Sequence, residues 1–275
     1  MKLKGVIFDW AGTTVDFGSR CPVACFQRAF QEVGLTVHAE DVHQFMGRRK
    51  RDHVQLVLEL PHNMAQWRAQ HDAPPTPAEI DALYHATEEA MDALVGEFAL
   101  PVPHLPVALD AIRAMGLKVG STSGYPKRTM EVLAREAATY GYTPDAWMAS
   151  DEVPEGRPAP WMVYRNMERL GIYPTAAIVK VGDTVADMRE GVNTQTWNIG
   201  VVESSSLLGK SYLEFQAMSD EARQAASAQV SAVLLAEGAH GLIRNLSELP
   251  GLLVEINERL QAGERPSPLE RRRPL

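Results

Sequence analysis

Short, unbroken apolar runs recur along this chain. Each closes on small or acidic residues and gives way to a stretch whose apolar positions return every third or fourth residue. Residues 5–10 (GVIFDW), 117–122 (LKVGST), 146–150 (AWMAS), 177–183 (AIVKVGD) and 196–202 (TWNIGVV) have the length and composition of strands buried on both faces. The stretches 127–141, 161–171 and 184–191 carry helical spacing, and Gly141, Gly171 and Gly191 stand where those helices are expected to end. Strand and helix in alternation predict an α/β fold, a Rossmann-like parallel sheet covered on both faces. Asp9, Ser123 and Asp183 would then collect at the carboxyl edge of the sheet, where such folds bind ligands.

Between residues 19 and 100 the alternation stops. PVACFQRAFQEVGL, AEDVHQFMG, RKRDHVQLVLEL and PAEIDALYHATEEAMDALVGEF all read as helix, with prolines and glycines between them. The pattern predicts an all-helical cap domain over 19–100, inserted into a core formed by 1–18 and 101–262. LPVPHLPV (100–107) is expected to return the chain as a linker stiffened by its prolines, and 263–275 to be a loose polar tail.

Composition narrows the functional classes. Hydrophobic residues at 45% and charged residues at 23% are ordinary for a globular protein, and a net charge of −8 argues against general nucleic-acid binding. No run approaches the roughly 20 apolar residues of a membrane span, and the first apolar run is too short for a signal peptide. Two cysteines, Cys21 and Cys25, suggest no disulfide framework and fit a reducing cytoplasm. Their spacing places them on one helical face, but two thiols alone make a poor metal site, so small core or interface residues are the reading adopted.

DWAGT after the first strand, STSG after the second, GRPAP at 156–160 and GDTVADM after the fourth form an ordered set. Together they resemble the haloacid dehalogenase superfamily, with the helical insertion where that superfamily places its cap. The chemistry can be argued from the residues as well. A carboxylate attacks phosphorus only if the phosphoryl group is neutralised and held in line, so Asp9 is the candidate nucleophile. Asp183 is the candidate second carboxylate of a Mg²⁺ site, since Mg²⁺ prefers hard oxygens, with the backbone carbonyl of Ala11 completing the protein ligands. Asp187 and Thr184 would support that site from behind, although Asp187 could also be a surface helix residue. Ser123 and the amide of Gly124 can donate to phosphoryl oxygens. Arg157 offers a planar cationic fork. Lys127 competes for that role, and the GRPAP setting favours Arg157. Asp16 is read as a turn residue.

Ala11 is the departure that matters. Phosphomonoester hydrolases of this superfamily carry a second aspartate there, which protonates the leaving oxygen. If the bond cut is P–C, that proton is irrelevant and an electron sink is needed instead. An amine that forms an imine with a neighbouring carbonyl provides one. The insertion offers Lys50, with His53 on the same helical face and Met46 just before it. DWAGTTVD, MG-x-x-K-x-D-H, STSGY and GRPAPW resemble the phosphonoacetaldehyde hydrolase (phosphonatase) family, which implies that Lys50 is a Schiff-base residue. Arg48, Arg49 and Arg51 leave two other readings open, a solvated charge cluster or an anion-steering patch. Those arginines would also push the lysine toward its free amine. His53 is an acid–base or substrate contact, or a satisfied histidine of the cap; Met46 packs against the imine or fills the core. The resemblance further implies a small phosphonate substrate and a homodimer, through an apolar face of Cys25, Phe26 and Phe30 that a core role fits equally well. The alternatives retained are a phosphomonoester hydrolase or phosphosugar mutase of the same fold, and a non-catalytic binding scaffold.

Overall fold

Six parallel strands form the sheet of the computed structural model, which describes residues 1–46, 50–71 and 73–266. They are β1 (Gly5–Phe8), β2 (Lys118–Thr122), β3 (Ala146–Met148), β4 (Ile178–Gly182), β5 (Trp197–Val201) and β6 (Gly241–Ile243), in the spatial order β3-β2-β1-β4-β5-β6. β1, β4 and β5 are buried along their whole length, which explains their unbroken apolar runs. The chain moves outward from β1 through β2 to β3, then returns to β1's other side with β4. That reversal leaves a crevice at the carboxyl ends of β1 and β4, where Phe8 is in register with Val181. Asp9 and Asp183 both emerge there.

The chain divides into two units, Met1–Ser19 with Ala99–Leu275, and Arg20–Phe98. Among its described residues the second has helices and no strand: α1 (Arg20–Glu32), α2 (Ala39–His43), α3 (Lys50–Leu58), α4 (Pro61–Arg68) and α5 (Pro77–Leu94), followed by one 3₁₀ turn. α5 starts where its sequence dictates. Thr76 Oγ accepts from the Glu79 amide at 3.3 Å, the Glu79 carboxylate accepts from the Thr76 amide at 2.7 Å, and Pro77 occupies the first turn. Phe26 and Phe30 on α1 are fully buried against Val54, Val57 and Leu58 of α3 and Leu83 of α5, forming this unit's core. The apolar face of Cys25, Phe26 and Phe30 is therefore interior, not a dimer surface; α1 turns Gln27, Arg28, Gln31 and Glu32 to the outside.

Around the sheet lie α6 (Leu105–Ala114), α7 (Lys127–Thr139), α8 (Trp161–Leu170), α9 (Val185–Thr194), α10 (Tyr212–Ala217), α11 (Asp220–Ala236) and α12 (Leu249–Gln261). α8 packs on β2 and β3, and α9 on β4 and β5. Two expectations need correction. The segment 100–107 is not linker throughout, because α6 begins at Leu105 with proline in its first turn, a position that tolerates a missing amide. Gly191 does not end α9. The helix runs on to Thr194 and stops at Gln195 in the left-handed region. Gly191 is glycine for space: a Cβ there would lie 1.9 Å from the Asn198 side-chain oxygen. No described helix is long and apolar enough to cross a membrane, and residues 267–275 of the expected tail lie outside the described residues.

Candidate active site

Asp9 leaves β1 directly into a tight turn in which the amides of Thr13, Thr14 and Val15 all donate to the Trp10 carbonyl, at 3.1, 2.8 and 3.1 Å. Gly12 sits in that turn at a φ of +88°. A side chain there would be strained, and its Cβ would come within 2.6 Å of the Asp183 carboxylate. The glycine thus lets the turn that carries Ala11 lie against the end of β4. Asp16 is also in the left-handed region, and its carbonyl accepts from the Gly12 and Ser19 amides, as a turn residue's would.

The GDTVAD stretch places its two carboxylates by different means. Asp183 ends β4 and is fully buried. It accepts from Thr13 Oγ at 2.9 Å and from the amide and hydroxyl of Ser206, each at 2.8 Å. Asp187 is the third residue of α9 and closes a capping box with Thr184: the Thr184 hydroxyl accepts from the Asp187 amide at 3.1 Å, while Asp187 Oδ2 accepts from the Thr184 amide and hydroxyl. That reciprocal cap fixes the carboxylate so that its other oxygen meets Arg157 and, at 2.9 Å, Lys180. Thr184 is therefore the residue that aims Asp187.

Arg157 completes the group. Its Nη2 lies 2.7 Å from Asp9 Oδ1 and its Nη1 pairs with Asp187 Oδ1, so one planar fork spans both carboxylates. At the end of β2, Ser123 is buried and its Oγ accepts from the Tyr125 amide at 3.1 Å, leaving the hydroxyl hydrogen outside that bond. A Cβ on Gly124 would sit 3.7 Å from Arg157 Nη2, which sets this loop beside the guanidinium. Lys127 is elsewhere engaged, 3.7 Å from Glu152.

The charges within this group do not balance. Asp9, Asp183, Asp187 and Glu190 are all buried, facing the cations Arg157 and Lys180. Burial, reinforced by the charge of Asp187, pushes Asp9 up to about 6 despite Arg157. Burial and the charges of Asp9 and Asp187 push Asp183 up as well. Burial opposes ionisation of Asp187 too, but Arg157 and Lys180 outweigh it and hold that carboxyl at about 2. Asp9, Asp183 and Asp187 each offer an oxygen, and these atoms lie within 4.8 Å of one another. A surplus of buried negative charge on hard oxygen donors fits a divalent cation.

Lys50, His53 and Met46 belong to the helical unit. Lys50 opens α3, with its Nζ 5.9 Å above the Phe26 ring. Burial lowers its pKa, which shifts the group toward the free amine. Arg51 is tied to Asp81 at 2.5 Å, and Arg48 and Arg49, with Gly47, lie outside the described residues. His53 is packed rather than exposed for proton transfer. It is buried between Phe26 and Phe45, donates from Nε2 to the Val42 carbonyl at 2.8 Å, and is driven down to about 4 by burial and by Lys50. Met46 is half-buried in the turn after α2.

Comparison with known proteins places this architecture. A haloacid dehalogenase-like hydrolase profile matches residues 3–193. The phosphonoacetaldehyde hydrolase of Bacillus cereus is 39% identical over 94% of this chain and 98% of its own, and that of Bacillus cytotoxicus is 38% identical over the same shares. The chain belongs to the phosphonoacetaldehyde hydrolase family. A solved phosphonoacetaldehyde hydrolase-like protein from Oleispira antarctica superposes with a TM-score of 0.87 at 28% identity, covering 97% of this chain and 96% of that one. The β-phosphoglucomutase of Clostridium difficile, at 13% identity and a TM-score of 0.62 over 94% of this chain and 99% of its own, shares the fold alone.

In this member of the phosphonoacetaldehyde hydrolase family, several site residues escape sequence reasoning. Lys180 lies inside β4 with no exposure, 3.0 Å from Glu190, 2.9 Å from Asp187 and 2.8 Å from Thr122 Oγ. It reaches from β4 past β1 to β2. The legible signal is one charge within an otherwise apolar strand run. Ser204, Ser205 and Ser206 form the second missed group. They bond the Gly12 carbonyl, the Asp183 carbonyl and the Asp183 carboxylate, and their signal is a serine run that starts three residues after the end of β5. Replacing Lys180 with methionine leaves buried Glu190 without its cation and Asp187 with Arg157 alone, and is expected to cost about 3–5 kcal/mol. Chemical denaturation of the variant beside the parent measures this.

Proposed function

We propose that this protein hydrolyses the P–C bond of phosphonoacetaldehyde to acetaldehyde and phosphate. The observation that carries the proposal is paired: the place of the leaving-group acid holds Ala11, and the amine of Lys50 is shifted toward its reactive, uncharged form. The relatives named phosphonoacetaldehyde hydrolase support the same reading.

Lys50 adds to the aldehyde and, with loss of water, forms an imine that takes up a proton. The Asp9 carboxylate attacks phosphorus, and the electrons of the breaking P–C bond move into the imine to give an enamine, leaving an aspartyl phosphate. Arg157, with Ser123 and the Gly124 amide, binds the phosphoryl oxygens, so the guanidinium that faces Asp9 also compensates the charge the nucleophile approaches. Asp9, Asp183 and the Ala11 carbonyl would hold Mg²⁺, which supplies further neutralisation of the phosphoryl group when bound. Thr184 holds Asp187, and Asp187 holds Arg157 in plane. Water then hydrolyses the acyl phosphate, and the enamine takes a proton and hydrolyses to acetaldehyde and free Lys50.

Borohydride reduction during turnover tests the imine. The expected product is inactive protein with an N-ethyl group on Lys50, identified by peptide mass spectrometry. An unmodified Lys50 in protein that retains full activity after the same treatment would overturn the assignment.

A further inference from the structure

The two cysteines do not stand alone. Cys21 and Cys25 lie one turn apart on α1, and Met91 of α5 brings a third sulfur against them. The Cys21 and Cys25 Sγ atoms are 3.9 Å apart, and Met91 Sδ lies 3.4 Å from the first and 3.8 Å from the second. No disulfide joins the cysteines, and all three residues are buried, at 1%, 0% and 5% exposure.

This triangle is nearly equilateral, and its size is informative. A point equidistant from the three sulfurs lies about 2.1 Å from each, just short of the roughly 2.3 Å of a metal–thiolate bond, so a small lift out of the plane makes up the difference. Two thiols and a thioether are soft donors, and softness selects Cu(I) over the harder divalent ions. Zn²⁺ is poorly served, because it favours four ligands drawn from thiolate, imidazole and carboxylate. Packing of α1 on α5 holds the donors in place before any ion arrives. Cys21 is the second residue of α1, where the positive end of the helix dipole favours the negative charge that two thiolates leave around a monovalent ion.

We propose that Cys21, Cys25 and Met91 form a three-coordinate site for a soft monovalent metal ion, Cu(I). Binding replaces the two S–H bonds with Cu–S bonds and releases two protons, and the thioether completes the plane without losing one. The site lies wholly within the helical unit.

Titration of the reduced, full-length protein with Cu(I) under anaerobic conditions tests this, with bathocuproine disulfonate as the coloured competitor. The expected result is one Cu(I) withdrawn from the chelator per chain, undisturbed by excess Zn²⁺. Cys21→Ser and Cys25→Ser are each expected to weaken retention by about a hundredfold or more, and Met91→Leu by about tenfold with the stoichiometry preserved. Circular dichroism establishes that each variant is folded. Met91→Leu keeps both thiols and a core of similar volume, so it probes the third ligand even if a serine variant is unstable. A wild-type protein that leaves Cu(I) with the chelator overturns the site. So do cysteine variants that bind as tightly as the parent, or a Met91→Leu affinity that does not change.

Discussion

Lys50→Ala is expected to abolish release of acetaldehyde and phosphate from phosphonoacetaldehyde, lowering kcat by at least about four orders of magnitude, because no other group then accepts the electrons of the P–C bond. Lys50→Arg is expected to be equally inactive. It keeps a positive charge at the start of α3, but a guanidinium does not form an imine, so the pair of variants separates covalent chemistry from electrostatics. Coupled assays for both products measure the loss. Substantial turnover by the arginine variant would reduce Lys50 to an anion-binding group.

The second large effect is expected at Asp9. Asp9→Asn removes the nucleophile and should leave no measurable turnover, yet the metal-free variant should melt at a higher temperature than the parent at pH 7. The reason is linkage. The folded protein holds a proton on Asp9 up to about pH 6, while the unfolded chain releases it near the ordinary value of 3.8. Between these values the folded state binds more protons, so its stability falls as pH rises through the window. Asparagine carries no charge to be penalised, so its advantage over the parent should be present at pH 7 and absent at pH 4. Thermal melts in chelator at the two pH values measure this. A variant less stable than its parent at pH 7 would show that the Arg157 contact outweighs the burial of charge.

Much of this arrangement was legible because it follows from patterns that chain chemistry enforces. Strands buried on both faces must be apolar throughout, and β1, β2, β4 and β5 read accordingly, each within about one or two residues of its observed ends. β6 has three residues and offers no such pattern. α4, α6, α10, α11 and α12 also passed unread. α4 buries just Asn63 and Trp67, and α10 just Phe215, too few positions to show a period. Within the site, Asp9, Asp183 and Asp187 could be located because their strands and the α9 cap dictate their positions. Lys180 and Glu190 could not, because a charged residue in a buried element announces a partner without naming it. The serines at 204–206 were hidden for a related reason: hydroxyls are common in loops, and these acquire a role only through folding onto Gly12 and Asp183. The cysteines show the converse. Sequence spacing put them on one face, and the third sulfur arrives from a helix some 66 residues away.

The bridge from Lys180 to Thr122 also constrains how this sequence can diverge. Asp187, Glu190 and Thr122 all draw on one ammonium group that water cannot replace. A lineage that loses the lysine alone strands Glu190 in the interior and leaves Asp187 to Arg157, whereas one that first neutralises Glu190 avoids the stranded charge. Substitutions at 180 and 190 should therefore be tolerated as a pair and selected against singly, and the order in which they arise should matter as much as their identity.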